Sequence, residues 1–78
     1  MNPMELHEKA MSFSFVAKQA RDAGSEEEAL KMYETAAQYE SDAADYYFDK
    51  PELEPTRSIL IRSAAFLNLK AGLIEKSE

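Results

Sequence analysis

The chain has no cysteine and no tryptophan, one histidine, two glycines and three prolines. The missing cysteines exclude disulfides and thiolate metal sites. A single histidine, His7, cannot build a two-histidine zinc site within one chain. The Glu-x-x-His signature of a di-iron helical bundle is also absent, because Met4 stands three residues before His7. Scarce glycine leaves no phosphate-cradling or dinucleotide loop, and no calcium loop. Ser12, Ser14, Ser58 and Ser63 lack the glycine-flanked setting of a nucleophile elbow. No enzymatic activity, metal or cofactor is expected from this inventory. No apolar run approaches the roughly 20 residues of a membrane span. The N-terminus already carries Glu5 and Glu8, unlike a secretory leader. A cytoplasmic location is the expectation.

Positive charge is also in short supply. The net charge of −6 argues against a nucleic-acid partner, whose phosphates need a basic patch, and against an anionic membrane surface. Apolar residues make up 45% and charged residues 31% of the chain, which is globular composition, not that of a disordered segment. Seventy-eight residues form one domain, 1–78. A domain of this size buries only about 60–65% of its unfolded surface, so pairing with a second copy is an accessible route to stability.

The few breakers divide the chain into three helices, about 3–23, 26–48 and 55–71, so the fold class is all-α. Asn2-Pro3-Met4-Glu5 combines an N-cap, a first-turn proline and a capping-box glutamate. Gly24 supplies a left-handed stop. Ser25-Glu26-Glu27-Glu28 is a second capping box, with acids at the positive end of the helix dipole. Pro51 and Pro55 bound a linker, and Pro55 can open the third helix. Gly72 is expected to end that helix, with Leu73 and Ile74 folding back on it and a frayed tail to follow.

At about 100° per residue, the first helix has one apolar stripe of Leu6, Ala10, Phe13, Val16, Ala17 and Ala20. Met4, Met11 and Phe15 lie nearly opposite. The second helix carries a broad arc centred on Ala29, Tyr33, Ala36, Ala43 and Tyr47, wide enough for two neighbours. Glu40, Asp42, Asp45 and Asp49 read as a solvated acidic face, and His7 as an exposed or partly packed helix residue. The third helix is apolar nearly all round. Self-association is therefore expected through Leu60, Ile61, Ala64 and Leu67, giving a homodimer.

Aligning the two glycines exposes a partial repeat. Phe13, Val16, Ala17, Ala20 and Gly24 match Ile61, Ala64, Ala65, Asn68 and Gly72, and Ala29, Tyr33 and Ala36 follow Gly24. This pattern resembles about one and a half tetratricopeptide repeats, although the interval between glycines exceeds the family's ~34 residues. Leu53 to Ala65 is similar to a segment of small bacterial helical proteins, and the size resembles the microtubule-interacting-and-transport domain. The tetratricopeptide resemblance implies a helical hairpin plus a third helix. It also implies a partner groove with Met11, Ser14, Lys18 and Arg21 on the first helix and Ile59, Arg62, Phe66 and Leu69 on the third. Met11, Lys18, Arg21, Arg62 and Phe66 would there grip an acidic, partly apolar protein or peptide. The expected function is a non-enzymatic protein–protein interaction module. The alternative is a small acidic regulator, an antitoxin or inhibitor, that binds one enzyme.

Overall fold

A computed structural model describes residues 2–77. Among these the chain forms α1 (Pro3–Asp22), α2 (Glu26–Tyr47), a 3-10 turn (Pro51–Leu53) and α3 (Thr56–Ser77). The fold is all-α, as the spacing of the breakers predicts.

The first helix starts as expected. Asn2 is extended, its Oδ1 accepts from the Glu5 N–H at 2.9 Å, and its Nδ2 donates to Glu5 Oε1 at 2.8 Å. The stop is a full Schellman turn. Gly24 sits at φ +85°, its N–H donates to the Arg21 carbonyl, and the Ser25 N–H donates to the Ala20 carbonyl. Ser25, however, forms no side-chain cap on α2. Its ψ of 70° departs from the extended backbone that aims a cap hydroxyl at the helix amides.

Helix α2 ends without a glycine. Lys50 Nζ donates to the Tyr46 carbonyl at 2.8 Å and Arg57 Nε to the Phe48 carbonyl at 2.7 Å, placing cations at the negative end of the dipole. The next helix then begins one residue later than expected, at Thr56. Its cap is Glu54, whose Oε1 accepts from the Ser58 N–H at 2.7 Å and whose Oε2 accepts from Ser58 Oγ at 2.6 Å. Those two bonds, with the nearby Arg57 guanidinium assisting, hold the Glu54 carboxyl below the ordinary glutamate range.

The other end of α3 corrects the sequence expectation. Gly72 does not stop it; the helix runs to Ser77, and Leu73 and Ile74 are helical rather than folded back. The frayed tail expected after Gly72 is thus helical backbone as far as Ser77, and Glu78 lies outside the described residues. The physical reason is Ile74. It is buried in one cluster with Leu67, Ala71, Tyr33 and Ala29, and it reaches them only if the helix continues. Burying such a side chain contributes about 1.5–3 kcal/mol, more than the ~1 kcal/mol that an interior glycine costs.

Helix α2 is central and packs on both neighbours, while α1 and α3 barely touch each other. The core is rich in alanine. One cluster joins Ala17, Ala29, Tyr33, Ala36, Ala37, Leu67, Ala71 and Ile74, and the other joins Ala43, Ala44, Leu60 and Ala64 with Leu6, Tyr47 and Ile61 against it. Phe13 stacks on Tyr39 with ring centroids 5.6 Å apart. These clusters set the direction of the chain: α1 and α3 run parallel, and α2 runs against both.

The two glycines are expected to respond in opposite directions. An added Cβ meets nothing within 4 Å at Gly72, so Gly72→Ala should stabilise the fold by about 0.5–1 kcal/mol. Gly24→Ala should destabilise it by about 1 kcal/mol, because φ is positive there. Urea unfolding followed by circular dichroism measures both, and a destabilising Gly72→Ala would contradict the continuous helix. The Glu54 cap carries a pH signature. Its stabilisation is fully present above the ordinary glutamate pKa and is lost as pH falls through the depressed folded value. Acid titration of stability should therefore be shallower in Glu54→Gln than in the parent.

Candidate interaction groove

The second helix holds the least expected side chain of the structure. Glu40 is 0% exposed, in the middle of the apolar arc. His7 Nδ1 lies 2.8 Å from Glu40 Oε1 and 2.9 Å from Oε2, and Ser63 Oγ donates to Oε2 at 2.6 Å. One carboxylate thus ties α1, α2 and α3 together. Ser63 Oγ is the donor in its bond, and the imidazole supplies the second bond from the other side of the carboxyl group. Among the described residues no buried side-chain polar atom lacks a partner.

This corrects one sequence reading and sharpens another. Glu40 does not belong to the solvated face with Asp42, Asp45 and Asp49, which are exposed. His7 is partly packed, its side chain 28% exposed, and it is bonded across helices. A signal was available in the sequence. Glu40 lies seven residues after Tyr33 and seven before Tyr47, on the line of Ala36, Ala37, Ala43 and Ala44, so helical periodicity alone puts it inside.

The three side chains share the inventory of a hydrolytic triad but not its order. A nucleophilic serine must hand its proton to the imidazole, with the carboxylate behind it. Here the carboxylate stands between histidine and serine, and the serine bonds to it directly. The arrangement is a clamp between helices. Among the described residues no group of three or more His, Asp or Glu side chains is placed to hold a metal ion, and no helix is long and apolar enough to cross a membrane.

His7 and Ser63 also orient the outer faces of their helices. Met4 and Met11 lie one turn to either side of His7, and Phe15 follows on the same row. Ile59 and Phe66 lie one turn to either side of Ser63, with Arg62 and Leu69 beside them. Met4, Met11, Phe15, Ile59, Phe66 and Leu69 are all exposed. The two rows therefore stand on either side of the His7–Glu40–Ser63 clamp, one on α1 and one on α3, and frame the candidate groove.

The residues expected in a partner groove divide as follows. Met11, Lys18, Arg21, Arg62 and Phe66 are all exposed, and Met11 and Lys18 share the His7 side of α1 while Arg62 and Phe66 share the Ser63 side of α3. Arg21 lies at the far end of α1, in its last turn. Among the described residues no carboxylate pairs with Lys18, Arg21 or Arg62. Lys70 Nζ sits 5.2 Å from the centroid of the Phe66 ring.

The residues expected to face a second copy lie elsewhere. Leu60, Ala64 and Leu67 are buried against α2, and Ile61 is half-buried beside the same cluster. An apolar helix has no outward label in its sequence, and the row expected to meet a second copy is the one that packs inward. The row left open is Ile59, Phe66 and Leu69. Comparison with protein-family models, curated proteins and solved structures finds no match, and the groove is interpreted from its own chemistry.

Loss of one clamp partner leaves a buried carboxylate undersatisfied. Ser63→Ala is expected to cost about 1.5–3 kcal/mol and His7→Ala about 3 kcal/mol. Replacing all three by apolar side chains (His7→Leu, Glu40→Met, Ser63→Ala) should recover most of that loss. Chemical unfolding gives the comparison, and single variants within 0.5 kcal/mol of the parent would remove the clamp from the account.

Proposed function

We propose that this chain is a non-enzymatic protein–protein interaction module that self-associates through the outward row of α3. The observation that carries the reading is the exposure of that row. Ile59, Phe66 and Leu69 are 56%, 56% and 59% exposed, although the adjacent Leu60 and Leu67 of the same helix are shut in the core at 2%. Large apolar side chains left in water in a contiguous set mark an association surface. The composition of the core adds to the argument, because the buried clusters of the described residues are rich in alanine. A tetratricopeptide-like groove is the related reading of the same face, and it is supported by the cations Lys18, Arg21 and Arg62, which have no carboxylate partner among the described residues, and by Met11 and Phe66. In that reading an acidic, partly apolar partner occupies the groove.

Self-association is measured by light scattering with size exclusion, or by sedimentation. A dimer is expected at tens of micromolar. Phe66→Glu should yield a monomer that keeps its helical circular dichroism. Leu67→Glu should instead unfold the chain, because that side chain faces α2. A parent protein that stays monomeric, or a Phe66→Glu variant of unchanged mass, would count against this face.

A further inference from the structure

Resting on the self-association reading, we infer that the dimer is reciprocal: α1 of each copy lies over α3 of the other, with Glu8 meeting Arg62 across a two-fold axis parallel to the helices. Three observations lead there. The first is level. His7 and Ser63 bond the same carboxylate, so they stand at one height on two parallel helices. Counting from that height at about 1.5 Å per residue, Glu8 and Arg62 lie within one residue of it. Met4 and Ile59 lie one turn before it, and Met11 and Phe66 one turn after. A two-fold axis running along the groove preserves height and exchanges sides. It therefore sets Met4 over Ile59, Glu8 over Arg62 and Met11 over Phe66 of the second copy.

Charge is the second observation. From Thr56 to Ile74, α3 carries Arg57, Arg62 and Lys70 and no acid. The outer side of α1 near its start carries Glu8 among Met4, Met11 and Phe15. Neither Glu8 nor Arg62 has an oppositely charged partner in its own chain among the described residues. A carboxylate among apolar side chains that suits Arg62 of α3 is thus present in the protein itself, as Glu8 on the exposed face at the start of α1.

The third observation excludes the competing arrangement. A two-fold axis across the helices would stack α3 antiparallel on its own copy. Centred on Phe66, that stacking brings Arg62 of one copy toward Lys70 of the other, twice, with no carboxylate on either helix before Glu75. Like charges set opposite one another oppose such a pairing.

Sedimentation equilibrium on the full chain, with Glu8→Arg, Arg62→Glu and the double reversal, tests the register. Each single reversal places like charges at both symmetry-related contacts and should weaken the dimer at least about tenfold. The double reversal should return the dissociation constant to within about threefold of the parent. A double variant as weak as the two singles combined overturns the reciprocal register while leaving self-association standing. A parent that is strictly monomeric at about 100 μM overturns self-association and the register together. Cross-linking gives a second readout, since the chain has no cysteine of its own. Mixed Met11→Cys and Phe66→Cys chains should form the hetero-disulfide under oxidation. Predominant Phe66→Cys homodisulfide would overturn the register in favour of α3 stacked on α3.

Discussion

A carboxylate with no access to water must find its hydrogen bonds inside the protein, and Glu40 finds them on two different helices. Desolvating a charge costs several kcal/mol unless it is well partnered. The partners therefore have to arrive together. His7 brings α1 to the middle of α2, and Ser63 brings α3 to the same point. The clamp also divides the core, with Ala36 and Ala37 on one side of Glu40 and Ala43 and Ala44 on the other. Greasy clusters alone tolerate sliding, because alanine packs on alanine in several registers. A single buried polar contact admits one register, the role such groups play in coiled coils.

The same contact explains why the apolar rows stay outside. Helix α2 is consumed from both sides: Tyr39 stacks on Phe13 of α1, and the alanine-rich clusters of α2 take in Leu60, Ala64, Leu67 and Ala71 of α3. With α1 and α3 held against α2 and hardly touching each other, no element of the described chain covers the side on which Met11 and Phe66 stand. The surplus lies mostly on α3, whose Leu60, Leu67 and Ile74 are buried while Ile59, Phe66 and Leu69 are not.

Charge is distributed along the same division. The solvent face of α2 carries Glu27, Glu34, Asp42 and Asp45, and the outer side of α3 carries Arg62 and Lys70. An overall charge of −6 thus coexists with one cationic, apolar strip. Net charge describes how the molecule repels its neighbours at long range, whereas the strip sets the local field at its own face. The acidic total and the cationic groove are compatible once they are assigned to different faces.

Much of the fold was legible in the residues. Asn2 with Glu5, Gly24 at its positive φ, and the two prolines around residue 53 marked helix ends by local backbone chemistry, which needs no tertiary partner. The outward position expected for Met11, Lys18, Arg21, Arg62 and Phe66 matches their exposure in the structure. Three things were not legible. Gly72 looks like a stop to any local rule, and only the burial of Ile74 overrides it. Periodicity turns Glu40 inward, but its identity as a clamp depends on a histidine and a serine far away in sequence. The rows of α3 are equally apolar in sequence, so which one faces inward is fixed by where Ser63 must point. Sequence settled where helices begin and which faces are apolar, because those follow from neighbours within a few residues. Tertiary structure settled which apolar face is left in water, because that follows from a hydrogen bond between helices that no local pattern encodes.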